Sequence, residues 1–113
     1  MVEKKTEQLK KAIEDLRSMV ERDPLTGVYN RRKFDELLET LIAQENRMSL
    51  IMLDVDHFKR LNDTHGHQAG DRVLMQVAAV SEQVLADKQY LARYGGEEFG
   101  IILEGVDLDK AME

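Results

Sequence analysis

The chain contains no cysteine, which excludes a disulfide framework and any thiolate metal centre. It has no apolar run near ~18 residues, the length that marks a membrane-spanning helix. The opening "MVEKKTEQLKK" lacks the apolar core of a secretory signal. The expectation is a soluble, cytoplasmic chain with no direct membrane contact, compatible with a parent protein anchored further upstream. An excess of positive charge is also missing: the net charge is −6 and the pI about 5.1. Nucleic acid is therefore excluded as the main partner, because phosphate-backbone binding rests on a basic surface. A single nucleotide stays open, since acidic residues hold Mg²⁺ and Mg²⁺ holds a triphosphate. What is present, 42% hydrophobic and 34% charged residues in a length of 113, suits one small domain around a modest core.

Residues 3–22 are rich in helix formers and free of glycine and proline. Val2, Thr6, Leu9, Ile13, Leu16 and Val20 recur at alternating spacings of four and three. Read as heptads, Ile13 and Val20 take the a positions and Leu9 and Leu16 the d positions, which favours a parallel two-stranded coiled coil. The repeat is short, so an amphipathic helix lying on its own domain is the other reading. "RDPLTGVYN", with Asp23, the single proline Pro24 and Gly27, breaks this helix. Asn30 is positioned as N-cap of a second helix over about 31–45, with Phe34, Leu37, Leu38, Leu41 and Ile42 as its apolar stripe. "MSLIMLDV" (48–55) reads as a buried central strand, "DHFKRLND" as a short helix and "THGHQAGD" as a loop. A long helix follows over about 71–86. "QYLARY" and "EFGIIL" are strands joined through Gly95 and Gly96 as a hairpin. Asp107 is placed to cap a last helix that stops at Glu113, so the chain reads as unfinished at its C-terminal side. The order predicts an α/β sandwich, ferredoxin-like, with a small sheet and flanking helices.

The first strand ends in Asp54 and Asp56, which share one face if the strand continues. A strand end carrying two acids is costly unless a cation or donors satisfy them. Glu97 and Glu98 open the hairpin and meet the aspartates if the two strands are neighbours. Oxygen ligands converging in this way suit a hard cation such as Mg²⁺; either acidic pair alone reads rather as solvated loop. Lys59 offers positive charge for phosphates. Asn62 and Asp71 offer the amide and carboxylate that read guanine, whose N1–H and exocyclic amine are donors. The structural readings of the same residues are a surface charge for Lys59, a turn residue for Asn62 and an N-cap for Asp71. His57, His65 and His67 lack the spacing and the cysteine partners of a zinc site. "DVDHFKRLNDTH" lacks the acid and the glycine that an EF-hand loop needs at its fifth and sixth positions.

"DPLTGVYNRR", "DVDHFKRLNDTHGHQAGD" and "RYGGEEF" resemble, in order and spacing, the signature segments of GGDEF domains, the diguanylate cyclases. The resemblance covers residues 23–113, and residues 1–22 resemble the signalling helix that often precedes such domains. It implies the fold of polymerase palms and class III nucleotide cyclases, with a central antiparallel sheet. It implies a nucleotidyltransferase that condenses two GTP into cyclic di-GMP and releases two pyrophosphates, as a homodimer with facing half-sites and Mg²⁺ or Mn²⁺. By motif position, Asp54, Glu97 and the Val55 carbonyl are implied metal ligands, with Glu98 close by and Gly95 and Gly96 as the signature turn. Glu97 is the implied proton acceptor, and Lys59 the group that stabilises phosphate charge. Asn62, His67 and Asp71 match the nucleotide-contacting positions. Family members carry further elements, among them a late helix that adds basic phosphate contacts. On that pattern the chain is C-terminally truncated, and a catalytically inactive GTP- or cyclic di-GMP-binding signalling module is the alternative to an active cyclase. The family's Arg-x-x-Asp product-inhibition site has "DKQY" (Asp87 to Tyr90) in its window, with neither required residue in place.

Overall fold

The computed structural model describes residues 2–105; the helix expected after Asp107 lies outside them. Seven elements follow in order: α1 (Val2–Glu21), α2 (Arg31–Ala43), β1 (Met48–Asp54), α3 (Phe58–His65), α4 (His67–Val84), β2 (Gln89–Arg93) and β3 (Glu98–Glu104). The strands form an antiparallel sheet in the order β1-β3-β2, with β2 and β3 as the expected hairpin. β1 and β2 thus run the same way with β3 between them, as in a split βαβ unit.

Each face of β3 buries a different helix. On one side Phe99, Ile101, Leu103 and Leu91 pack with Leu74 and Ala78 of α4 and with Val28. On the other, Ile102 and Ala92 pack with Phe34 and Leu41 of α2. Gly100 permits the second contact, because a Cβ there would come within 2.8 Å of the Phe34 ring. The Asn30 side chain accepts from Lys33 N at 2.8 Å and so N-caps α2 as expected.

Three expectations require correction. Among the described residues β1 is not a buried central strand: β3 lies between the other two strands and β1 forms the edge, with Leu50 and Met52 about half exposed at 48% and 49%. The strand also stops at Asp54, so Asp54 and Asp56 do not share a strand face. "THGHQAGD" is not a loop. Thr64 and His65 finish α3, Gly66 alone breaks the chain at φ 87°, and α4 begins at His67. Asp71 therefore sits inside α4 rather than capping it. A glycine inside a helix normally disfavours it, yet Gly70 lets α4 approach α3, for a Cβ there would collide with the Asn62 amide.

α1 does not lie on the domain. Leu9, Ile13, Leu16 and Val20, the heptad row, are all 40% exposed or more. Its attachment is local and polar. Asn30 Nδ2 donates to the Val20 carbonyl at 2.8 Å, and Asn30 N donates to the Glu21 carbonyl at 2.8 Å. Lys33 pairs with Glu21 at 3.4 Å, and the Arg22 guanidinium sits 4.2 Å over the Tyr29 ring. No helix among the described residues is long and apolar enough to cross a membrane.

Candidate active site

Pairing between β1 and β3 brings the acids together. Asp54 is opposite Glu98 in the register. The next pair along is hydrogen-bonded, with Val55 N donating to the Glu97 carbonyl at 3.0 Å. Asp54 and Glu98 therefore form a non-hydrogen-bonded pair, the closer kind, and their side chains share the α2 face. Both are exposed, and Glu97 is half-buried. None of the three has an ion-pair partner among the described residues. No backbone N–H among them reaches the Val55 carbonyl.

As the side chains stand, no three His, Asp or Glu groups among the described residues are close enough to hold an ion. The donor set nevertheless fits a hard cation: unpaired carboxylates at one sheet end beside a carbonyl that no backbone group uses. The turn itself leaves space. Gly96 has an ordinary negative φ, and a Cβ added to it would meet nothing within 4 Å. Neither backbone conformation nor packing within the chain demands a glycine there. A Cβ on Gly95 would lie 3.1 Å from the Glu98 carboxylate, which folds back over the turn.

The other expected residues lie on the α3–α4 hairpin. Lys59 is on the first turn of α3, His67 opens α4 and Asp71 is one turn further; all three are exposed and without ion-pair partners among the described residues. Asn62 faces Gly70, and its Oδ1 is buried without a hydrogen-bond partner. A buried amide oxygen left unpaired costs about 1–3 kcal/mol, and the Gly70 backbone against which it packs closes it to solvent. A separate cleft of about 330 Å³ runs along the Arg60, Leu61 and Thr64 side of α3, and none of Lys59, Asn62, His67 or Asp71 lines it. His57, between β1 and α3, adopts a left-handed conformation at φ 58°, uncommon for a residue other than glycine.

Sequence reasoning missed Asp23 and Arg93. Arg93 Nη1 lies 3.3 and 3.4 Å from the two Asp23 oxygens, and Nη2 donates to the Gly96 carbonyl at 2.9 Å. Asp23 also accepts from the Thr26 hydroxyl at 2.8 Å and the Thr26 N–H at 2.9 Å. Burial pushes the Asp23 carboxyl up, but the Thr26 hydrogen bonds and the Arg93 charge outweigh it and hold it below the usual carboxylate range. The two partners are 70 positions apart, and no local pattern joins them.

The structure is an α/β fold, a three-stranded antiparallel sheet flanked by helices, with acidic residues where β1 meets the β2–β3 turn. The family described as "Diguanylate cyclase, GGDEF domain" matches residues 20–113, and the chain belongs to it. The chain is 41% identical over 105 residues to the diguanylate cyclase DgcP of Pseudomonas aeruginosa, covering 89% of this chain and 16% of that protein. It is 49% identical over 80 residues to the diguanylate cyclase VdcA of Vibrio cholerae, covering 71% of this chain and 24% of that one. The chain thus spans a quarter or less of the length of these relatives. The crystal structure of the coiled coil and GGDEF domain of DgcB from Caulobacter crescentus, in complex with c-di-GMP, superposes with a TM-score of 0.87 at 37% identity. That match covers 96% of this chain and 59% of the other.

Proposed function

We propose that this domain binds GTP with Mg²⁺ or Mn²⁺ and, as a homodimer, condenses two GTP into cyclic di-GMP. The observation that carries the proposal is the Asp54–Glu98 pair, locked in register by the Val55–Glu97 backbone bond and left without cationic partners. Asp54, Glu97, Glu98 and the Val55 carbonyl are the proposed ligands. The bound cation would polarise the α-phosphate and lower the pKa of the attacking 3′-hydroxyl.

The chain's own residues supply the rest. Lys59, on the turn of α3 that follows the acids, offers charge to the phosphates. Asn62 and Asp71 flank the place where Gly70 brings α3 and α4 together, and the half-buried Asn62 amide with the exposed Asp71 carboxylate are the proposed readers of guanine. His67 opens α4 and adds a hydrogen-bonding group on the same hairpin. Glu97 takes the hydroxyl proton. Association through the exposed Leu9–Ile13–Leu16–Val20 row of residues 1–22 brings two half-sites face to face.

The test is incubation of the chain with GTP and Mg²⁺ at several protein concentrations, with cyclic di-GMP resolved by ion-exchange chromatography. Product should rise faster than linearly with protein. Glu97→Gln should lower it by about 100-fold or more, the scale of losing a general base. Nucleotide binding without product in the wild-type chain would replace the cyclase reading with that of a binding module.

A further inference from the structure

Glu97 is gripped on both sides by groups outside its own turn. The peptide following it is held by the bond from Val55 N to the Glu97 carbonyl, at 3.0 Å. The peptide preceding it carries the Gly96 carbonyl, which accepts from Arg93 Nη2 at 2.9 Å. Peptide planarity turns those two bonds into constraints on the direction in which the Glu97 side chain leaves the backbone. The other backbone bonds of the turn, from Tyr94 N and Gly95 N to the Glu98 carbonyl at 2.8 and 3.3 Å, do not involve the Gly96–Glu97 peptide, so its orientation rests on the second.

The other end of the same guanidinium is held by Asp23, and both side chains are largely buried, at 21% and 14% exposure. The guanidinium is a rigid plane, so it cannot follow Asp23 without turning on the Gly96 carbonyl. Arg93 Nε is buried without a partner, as expected if the group is positioned by its two ends rather than by its own best hydrogen bonding. Asp23 belongs to the loop on which α1 is mounted. That loop is tied to β2 by Tyr29 N to Leu91 O at 3.2 Å and Arg93 N to Tyr29 O at 2.9 Å. It is tied to α1 by the two Asn30 bonds to Val20 and Glu21.

We infer that Arg93 is a positioning residue: it sets the Gly96–Glu97 peptide and, through Asp23, makes that setting depend on how α1 joins the domain. A change in the α1 junction is transmitted to the acids across one side chain. The consequence for nucleotide binding rests on the function proposed above; the coupling itself does not.

Two measurements on the intact chain separate these. In ¹⁵N amide spectra, Asp23→Asn should move the Gly96 and Glu97 signals by more than a linewidth, and Arg93→Lys, which keeps the charge but not the fork, should move the same signals. Changes confined to residues 22–30 in Asp23→Asn would overturn the coupling. In titrations of Mn²⁺ with GTP followed by the paramagnetic resonance of free Mn²⁺, each variant should bind about fivefold more weakly. The double variant should bind no more weakly than the worse single one. Equal losses of melting temperature with unchanged Mn²⁺–GTP affinity well below melting would reduce Arg93 to a structural tie and overturn the positioning role. If the wild-type chain binds no Mn²⁺–GTP, the proposed function fails and the amide spectra alone decide the coupling.

Discussion

Asn62 and Gly70 show how a single contact sets the packing of two helices. A methyl group on Gly70 would strike the Asn62 amide and come within 3.1 Å of the Phe58 ring. Gly70→Ala gains about 1 kcal/mol of helix propensity, whereas overpacking costs about 1–3 kcal/mol. We expect a net loss of about 1 kcal/mol in urea denaturation, and a smaller one in an Asn62→Ala background. Asp23 gives a pH-dependent counterpart. Its carboxyl ionises below the ordinary range in the folded chain, so its contribution is full above the unfolded value and is lost as pH falls through the folded one. The stability gap between wild type and Asp23→Asn should be about 2 kcal/mol near neutrality, steady down to about pH 5 and shrinking below about pH 4. Denaturation at several pH values measures it. Asn30 as a cap was legible because the preference for that residue type is local. The Asp23–Arg93 pair was not, because nothing short-range marks two residues that meet only through tertiary folding.

Among elements, the hairpin was the clearest in the sequence: two short apolar runs around Gly95 and Gly96 define β2 and β3 and their turn. The same apolar signal did not place β1, since "MSLIMLD" reads as central while among the described residues it stands at the edge beside β3. Composition reports that a strand is apolar and is silent on how many neighbours it has. The α3–α4 region misled for another reason. Its glycines and histidines look like loop residues, yet α4 starts at His67, and the approach of Gly70 to Asn62 accounts for a glycine inside it. The connection from α4 to β2 carries a negative result forward. Asp87 lies in that turn, and the Tyr90 hydroxyl donates to Glu104 at 3.1 Å; burial, then Glu104, pushes the Tyr90 phenol up, so it stays protonated. Neither the arginine nor the aspartate of a product-inhibition site stands in this window. Calorimetric titration with cyclic di-GMP should therefore show no micromolar binding there, and such binding abolished by Tyr90→Phe would contradict this.

At the scale of the whole molecule, extents of 56 × 39 × 22 Å reflect a helix standing away from a small sheet domain. The heptad row was legible in the sequence, but periodicity alone did not decide whether it faced its own domain or another chain. Among the described residues the row is exposed rather than packed on the sheet domain. Leu16→Asp should leave the thermal midpoint of a dilute monomer unchanged and weaken self-association by about tenfold or more in sedimentation equilibrium. Asn30, which binds the last carbonyls of α1 while opening α2, gives this shape a mechanical meaning. A 20-residue helix is a lever about 30 Å long. A tilt of about 10° carries its far tip about 5 Å, yet shifts a group about 3 Å from the pivot by only about half an ångström. The elbow can therefore swing widely at its tip while its hydrogen bonds stay made, and a large motion arriving at one end leaves the other as a small one.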